Sequence, residues 1–197
     1  MSLPLCLTLV RVLLGPLFLV LYIYAGQWGA SQLTVVWMLI GVAVISELSD
    51  LLDGRLARKR NKVTELGKLL DPMADSIFRF SVLFAFTQGV IGLPLILVIL
   101  FFYRDVVIGT LRTVCALRGF ALAARLSGKI KAVIQAVVIF FILILMIPYS
   151  MGCLGREMLR ALSFYAVLIS VIYTLYSGVE YLIANRSYIR KGMGASK

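Results

Sequence analysis

Apolar residues gather into six long stretches along this chain, near residues 5–25, 32–58, 67–89, 93–118, 126–148 and 159–184. An α-helix needs roughly 20 predominantly apolar residues to cross a bilayer, and each stretch approaches or exceeds that length. The second and fourth are long, which predicts tilt or projection beyond the lipid. Turn-forming residues separate them: Ala25-Gly-Gln-Trp-Gly-Ala-Ser31, Gln88-Gly-Val-Ile-Gly-Leu-Pro94 and Pro148-Tyr-Ser-Met-Gly-Cys-Leu-Gly155. Ser31 has the chemistry and position of an N-cap for the second helix, and Pro148 is expected to end the fifth. The pattern predicts an all-α integral membrane protein of six transmembrane helices, forming a single domain over residues 1–197. No repeat, low-complexity segment or polar stretch long enough to fold alone interrupts it.

Composition agrees. Hydrophobic residues make up 61% of the chain, and the mean hydropathy is +1.00. The first apolar stretch contains Arg11 and runs on without an A-x-A-like site, which argues against a cleaved signal. Cys6, Cys115 and Cys153 are odd in number and far apart, so they offer neither a disulfide framework nor metal-ligand spacing and read as small apolar fillers. Histidine is absent, so any acid–base or metal chemistry falls to carboxylates, lysines or cysteines.

The net charge of +11 changes the picture through its placement. Arg58, Lys59, Arg60 and Lys62 follow the second stretch, Arg118, Arg125 and Lys129 follow the fourth, and Arg186, Arg190 and Lys191 follow the sixth. Residues 25–31 and 88–94 carry no charge, and the connection after the fifth stretch holds only Arg156 and Glu157 before Arg160. The positive-inside rule then puts both termini and the basic connections in the cytoplasm. Charges that flank apolar spans point to anionic lipid headgroups and phosphorylated substrates as partners, not to nucleic acid.

Against this background four aspartates stand out. Asp50 and Asp53 are one helical turn apart at i and i+3, and Asp71 and Asp75 at i and i+4, so each pair shares a helix face. Carboxylates beside lipid are costly and mark function. Two helices joined by a short basic turn would aim all four at one point, where a divalent cation relieves their repulsion. An all-oxygen donor set suits Mg²⁺, Mn²⁺ or Ca²⁺.

Arg104, Asp105, Arg112, Lys129 and Lys131 form a second polar group, in the fourth and fifth stretches. Fixed cations facing an acidic metal site are what phosphate transfer needs. Blander readings stand beside this one. Asp105 could simply neutralise Arg104. Lys129 and Lys131 could snorkel to the membrane surface, and Arg11 could be an interfacial anchor. Arg55, Lys59, Arg60 and Lys62 read as surface anchors. Glu47 and Arg79 lie within apolar stretches and could pair with each other or with the aspartates. Gly54 and Gly67 could be helix-packing positions.

The spacing Asp-x2-Asp-Gly-x2-Ala-Arg-x8-Gly-x3-Asp-x3-Asp, met by Asp50, Asp53, Gly54, Ala57, Arg58, Gly67, Asp71 and Asp75, resembles the signature of the CDP-alcohol phosphatidyltransferase family. The six-span layout resembles that family too. The resemblance implies transfer of a phosphatidyl group from a CDP-linked lipid to an alcohol, with CMP leaving. It implies two divalent metals, Mg²⁺ or Mn²⁺, on Asp50, Asp53, Asp71 and Asp75. It places Asp50, Asp53, Gly54, Ala57, Arg58, Gly67 and Asp71 at the cytidine diphosphate, makes Asp75 the general base, and suggests a homodimer.

Pro4-Leu-Cys-Leu-Thr8-Leu-Val-Arg11, Arg104-Asp105, Leu111-Arg112, Gly128-Lys129-Ile-Lys131 and Gln135 resemble the branch of the family that makes phosphatidylglycerophosphate. Leu5, Asp105, Ala132 and Ser76 depart from that branch's residues. The cations Arg104, Arg112, Lys129 and Lys131 favour a phosphorylated acceptor over serine or choline: glycerol 3-phosphate first, inositol phosphate second. The expected protein is an enzyme of the cell's inner or plasma membrane with its site facing the cytoplasm. Two other classes compete with it. A cation transporter predicts carboxylates at the bilayer midplane on broken helices, and a non-catalytic lipid-binding or assembly protein would not need both aspartate pairs.

Overall fold

The computed structural model describes residues 3–59, 65–117 and 126–186; the side chains of residues 3–7, 51–72 and 116–117 lie outside that description. Its elements are α1 (Leu3–Tyr24), α2 (Gln32–Lys59), α3 (Glu65–Phe86), α4 (Leu95–Leu117), α5 (Leu126–Ser150) and α6 (Arg156–Ala184). No strand occurs among the described residues. Helix is the expected answer for apolar segments in lipid, because it satisfies backbone polar groups within the segment. Residues Gln32–Asp50 of α2, all of α5 and all of α6 are long and apolar enough to cross a membrane, and Thr8–Tyr24 is a shorter apolar helix.

Local chemistry sets the helix ends. Ser31 caps α2 as expected: its Oγ accepts from Thr34 N at 3.2 Å and its carbonyl accepts from Val35 N at 3.0 Å. The α5 end differs from expectation. The helix continues past Pro148 to Ser150, and the Pro148 carbonyl accepts from Cys153 N at 2.9 Å. A proline lacks a donor but keeps its acceptor, so it permits two further helical residues and then anchors the turn. The turn after α3 closes through Leu93 N to Phe86 O at 2.9 Å and passes through Gly92 at φ +60°, a conformation that favours glycine.

The chain forms two compact units. The first holds residues 1–93 and 139–163 and the second residues 94–138 and 164–197. In the first, α1 packs against both α2 and α3. Phe18 meets Phe78 and Phe86 edge-on, with ring centres 6.3 and 6.1 Å apart. Arg160 Nε donates to Val90 O at 3.1 Å and Arg156 Nη2 to Gly89 O at 3.3 Å, which tie the start of α6 to the turn after α3.

The second unit contains α4, the first half of α5 and most of α6. In this part of α6 the usual polarity of a surface helix is reversed. Ser170, Thr174, Ser177 and Tyr181 are buried along one face, while Tyr165, Ile169, Ile172, Tyr176, Val179 and Ile183 are exposed on another. An apolar outer stripe with hydroxyls inside suits a helix that meets lipid on one side and polar partners on the other.

Candidate active site

Two of the four motif aspartates have described side chains, and each is held by an arginine. Asp50, near the end of the apolar part of α2, accepts from Arg11 Nη1 at 2.5 Å. Arg11 comes from α1 and is 1% exposed, whereas the Asp50 side chain is 49% exposed. Arg11 therefore approaches from inside the helix packing and leaves much of the carboxylate open. That burial excludes the interfacial-anchor reading, because a snorkelling side chain keeps its charged head in water. Asp75 on α3 pairs with Arg79 at 2.9 Å, one turn further along the same helix. Glu47 of α2 lies within electrostatic reach of Arg79, Asp75, Asp50 and Arg11. The two residues that the sequence left unassigned thus belong to the aspartate neighbourhood.

Asp53, Gly54, Ala57, Arg58, Gly67 and Asp71 have side chains outside the described residues. Their helices are described: α2 carries positions 50 and 53, and α3 carries 67, 71 and 75, which keeps the register read from the spacing. Arg55 and Lys59 also lie in that stretch, and Arg60 and Lys62 lie outside the described residues altogether. Among the described residues no group of three or more acidic, histidine or cysteine side chains is gathered as a metal site. The donors that are described, Asp50 and Asp75, are carboxylate oxygens on partly exposed side chains. With no histidine in the chain, that chemistry fits a hard divalent cation such as Mg²⁺ or Mn²⁺.

The second polar group is an ordered network within the second unit. Lys131 Nζ donates to both oxygens of Asp105, at 2.7 and 2.8 Å. Arg104 Nη1 donates to Asp105 Oδ1 at 3.0 Å, and Arg104 Nη2 donates to Ser177 Oγ at 2.9 Å. Asp105 therefore neutralises Arg104, as one reading had it, and Lys131 as well. Lys131 is buried, so it does not snorkel, while Lys129 is exposed. Arg112 is held by a neutral residue: its Nε donates to Tyr181 Oη at 3.2 Å, and its guanidinium carbon lies 4.8 Å from the Tyr181 ring centre.

Ser177 and Tyr181 were not singled out from the sequence. Their signal was there: they are two polar groups at i and i+4 in an apolar helix, the spacing that puts them on one face.

Carboxylates with built-in counter-ions in the first unit have the chemistry to hold a divalent cation. Comparison with known proteins identifies the family. A family model described as CDP-alcohol phosphatidyltransferase matches residues 1–179. A CDP-diacylglycerol–glycerol-3-phosphate 3-phosphatidyltransferase of Bacillus subtilis (strain 168) is 31% identical over 190 residues, covering 93% of this chain and 95% of the relative. A probable phosphatidylglycerophosphate synthase of Mycobacterium tuberculosis (strain ATCC 25618 / H37Rv) is 30% identical over 178 residues, covering 89% and 78%. A cardiolipin synthase (CMP-forming) of Streptomyces coelicolor is 39% identical over 116 residues, covering 57% and 52%. With a matching model over most of its length and a relative aligned nearly end to end, the chain belongs to the CDP-alcohol phosphatidyltransferase family.

Proposed function

We propose that this protein transfers the phosphatidyl group of CDP-diacylglycerol to glycerol 3-phosphate and releases CMP. The observation that carries the choice of acceptor is near end-to-end similarity to a relative named for that reaction. Arg112, held by a neutral residue, supports it, since a phosphorylated acceptor needs fixed positive charge and a neutral alcohol does not.

In this reading the acceptor hydroxyl attacks the lipid-side phosphorus of the diphosphate. The bond from that phosphorus to the CMP oxygen breaks, and the hydroxyl proton passes to Asp75. Arg79 orients the Asp75 carboxylate toward that task. Asp50, Asp53, Asp71 and Asp75 would hold two divalent ions, Mg²⁺ or Mn²⁺, whose chemistry when bound is to neutralise the diphosphate and the departing CMP. Gly54, Ala57, Arg58 and Gly67 would border the cytidine diphosphate; a glycine allows the nucleotide close to the helix. Six spans, cytoplasmic termini, a cytoplasm-facing site and a homodimer complete the proposal.

The test is CMP release by the purified protein with CDP-diacylglycerol and a panel of glycerol 3-phosphate, inositol phosphate, inositol, serine and choline. Release with glycerol 3-phosphate alone, lost with chelator and restored by Mg²⁺ or Mn²⁺, is expected. Release with another acceptor replaces the substrate and keeps the chemistry. Silence across the panel, in a sample that binds the donor, rejects the reading.

A further inference from the structure

The cations of the second unit are not equivalent, and Asp105 divides them. Its carboxylate faces the Lys131 ammonium with both oxygens and takes one arm of Arg104, whose other arm goes to Ser177. Both cations are buried and have their charge offset by that carboxylate, so a phosphate gains less from either. Arg112 differs, because Tyr181 orders it without cancelling its charge. The hydroxyl takes the Nε edge at 3.2 Å, and the ring lies 4.8 Å from the guanidinium carbon. Tyr181 is itself 1% exposed and so is a rigid support.

Holding Nε leaves the terminal nitrogens, which can form a two-pronged contact with a phosphate. Gly128, near the start of α5, lies on that side: a Cβ added there would stand 3.8 Å from Arg112 Nη2. The exposed Lys129 follows it in the chain.

We propose that Tyr181 is a positioning residue that fixes Arg112, in preference to Arg104 or Lys131, as the cation presented to the phosphate of the acceptor. This rests on the acceptor reading given above. Tyr181 sets the plane of the guanidinium through the ring and its rotation through the hydroxyl. Arg104, Asp105 and Lys131 form an ionic group of their own.

Steady-state kinetics on Tyr181→Phe and Arg112→Gln, singly and together, test the assignment. In Tyr181→Phe the KM for glycerol 3-phosphate should rise about tenfold, the value of one hydrogen bond to a charged group. The kcat should stay within about twofold, and the KM for CDP-diacylglycerol should not move. In the Arg112→Gln background the same tyrosine change should add nothing. An unchanged KM in Tyr181→Phe, or an effect that simply adds to that of Arg112→Gln, overturns the proposal. Should Tyr181→Phe not fold, Arg112→Lys decides: it keeps the charge but loses the fork, and an unchanged KM for glycerol 3-phosphate overturns the assignment. A wild-type protein that accepts only unphosphorylated alcohols overturns the acceptor reading itself, an outcome distinct from the others.

Discussion

Arg11 Nη1 stands 2.5 Å from Asp50 Oδ1, joining α1 to α2 across 39 positions of sequence. The arginine is enclosed and the carboxylate half open, so the pair works as a post that presents an acid.

Replacing the post should make stability depend on divalent ions. Arg11→Gln is expected to destabilise the metal-free protein by about 2–3 kcal/mol, the cost of losing a charge-assisted bond from a buried group. Mg²⁺ should then restore more of the lost stability in the variant than it adds to the wild type, because a second cation can serve the orphaned carboxylate. Thermal unfolding in detergent with and without Mg²⁺ measures both. An equal Mg²⁺ response in the two proteins would reduce Arg11 to a packing residue.

Asp75→Asn keeps the size and shape of the side chain but cannot accept the hydroxyl proton. CMP release should fall by about 100-fold to 10,000-fold, with donor binding retained within a few fold. Stopped-time CMP assays and calorimetric donor titration separate the two. Turnover close to wild type would remove Asp75 from the role of base.

Gly178 lies where Arg104 crosses α6. A Cβ there would come within 3.0 Å of Arg104 Cγ, and that side chain is pinned at both arms by Asp105 and Ser177. Gly178→Ala should therefore cost about 1–3 kcal/mol through overpacking. Gly109→Ala is the control: a Cβ at Gly109 meets nothing within 4 Å, and alanine favours helix by up to about 1 kcal/mol. The melting temperatures of the two variants should move apart.

Gly92 sits at φ +60°, and an added Cβ would stand 2.9 Å from Arg160 Nη2. Gly92→Ala should cost about 1–2 kcal/mol from backbone strain alone and should displace Arg160 from Val90 O. Gly92→Asn, which tolerates that backbone region better, should cost less. Hydrogen exchange at the turn after α3 should rise in step with the loss.

The helices were legible in the sequence because one rule governs each long apolar segment: apolar residues outside and backbone bonds within. Their ends fell close to expectation, with Ser31 marking one and the helix outlasting Pro148 at another. The spacing of the aspartates was readable because it is local, one turn apart on each of two successive helices, and α2 and α3 carry those positions. Its counter-ions were harder. Arg79 is local to Asp75, but nothing within a few residues of Asp50 points to Arg11. Ser177 and Tyr181 were harder again, lying 73 and 69 positions from the arginines they hold. Hydroxyls in an apolar helix mark a polar neighbour without saying which one, and only the packing of α4 against α6 pairs them.

Asp50 and Asp75 carry charge that has to be met before any ion arrives. The two arginines bonded to them offset that formal charge with parts of the chain itself. Biogenesis can then run in a fixed order: the helices enter the bilayer and dock as a metal-free protein, and loading follows as a separate, reversible event. Protein purified in chelator should remain folded and regain activity when Mg²⁺ is supplied, so cation supply would govern how much enzyme works and not how much survives.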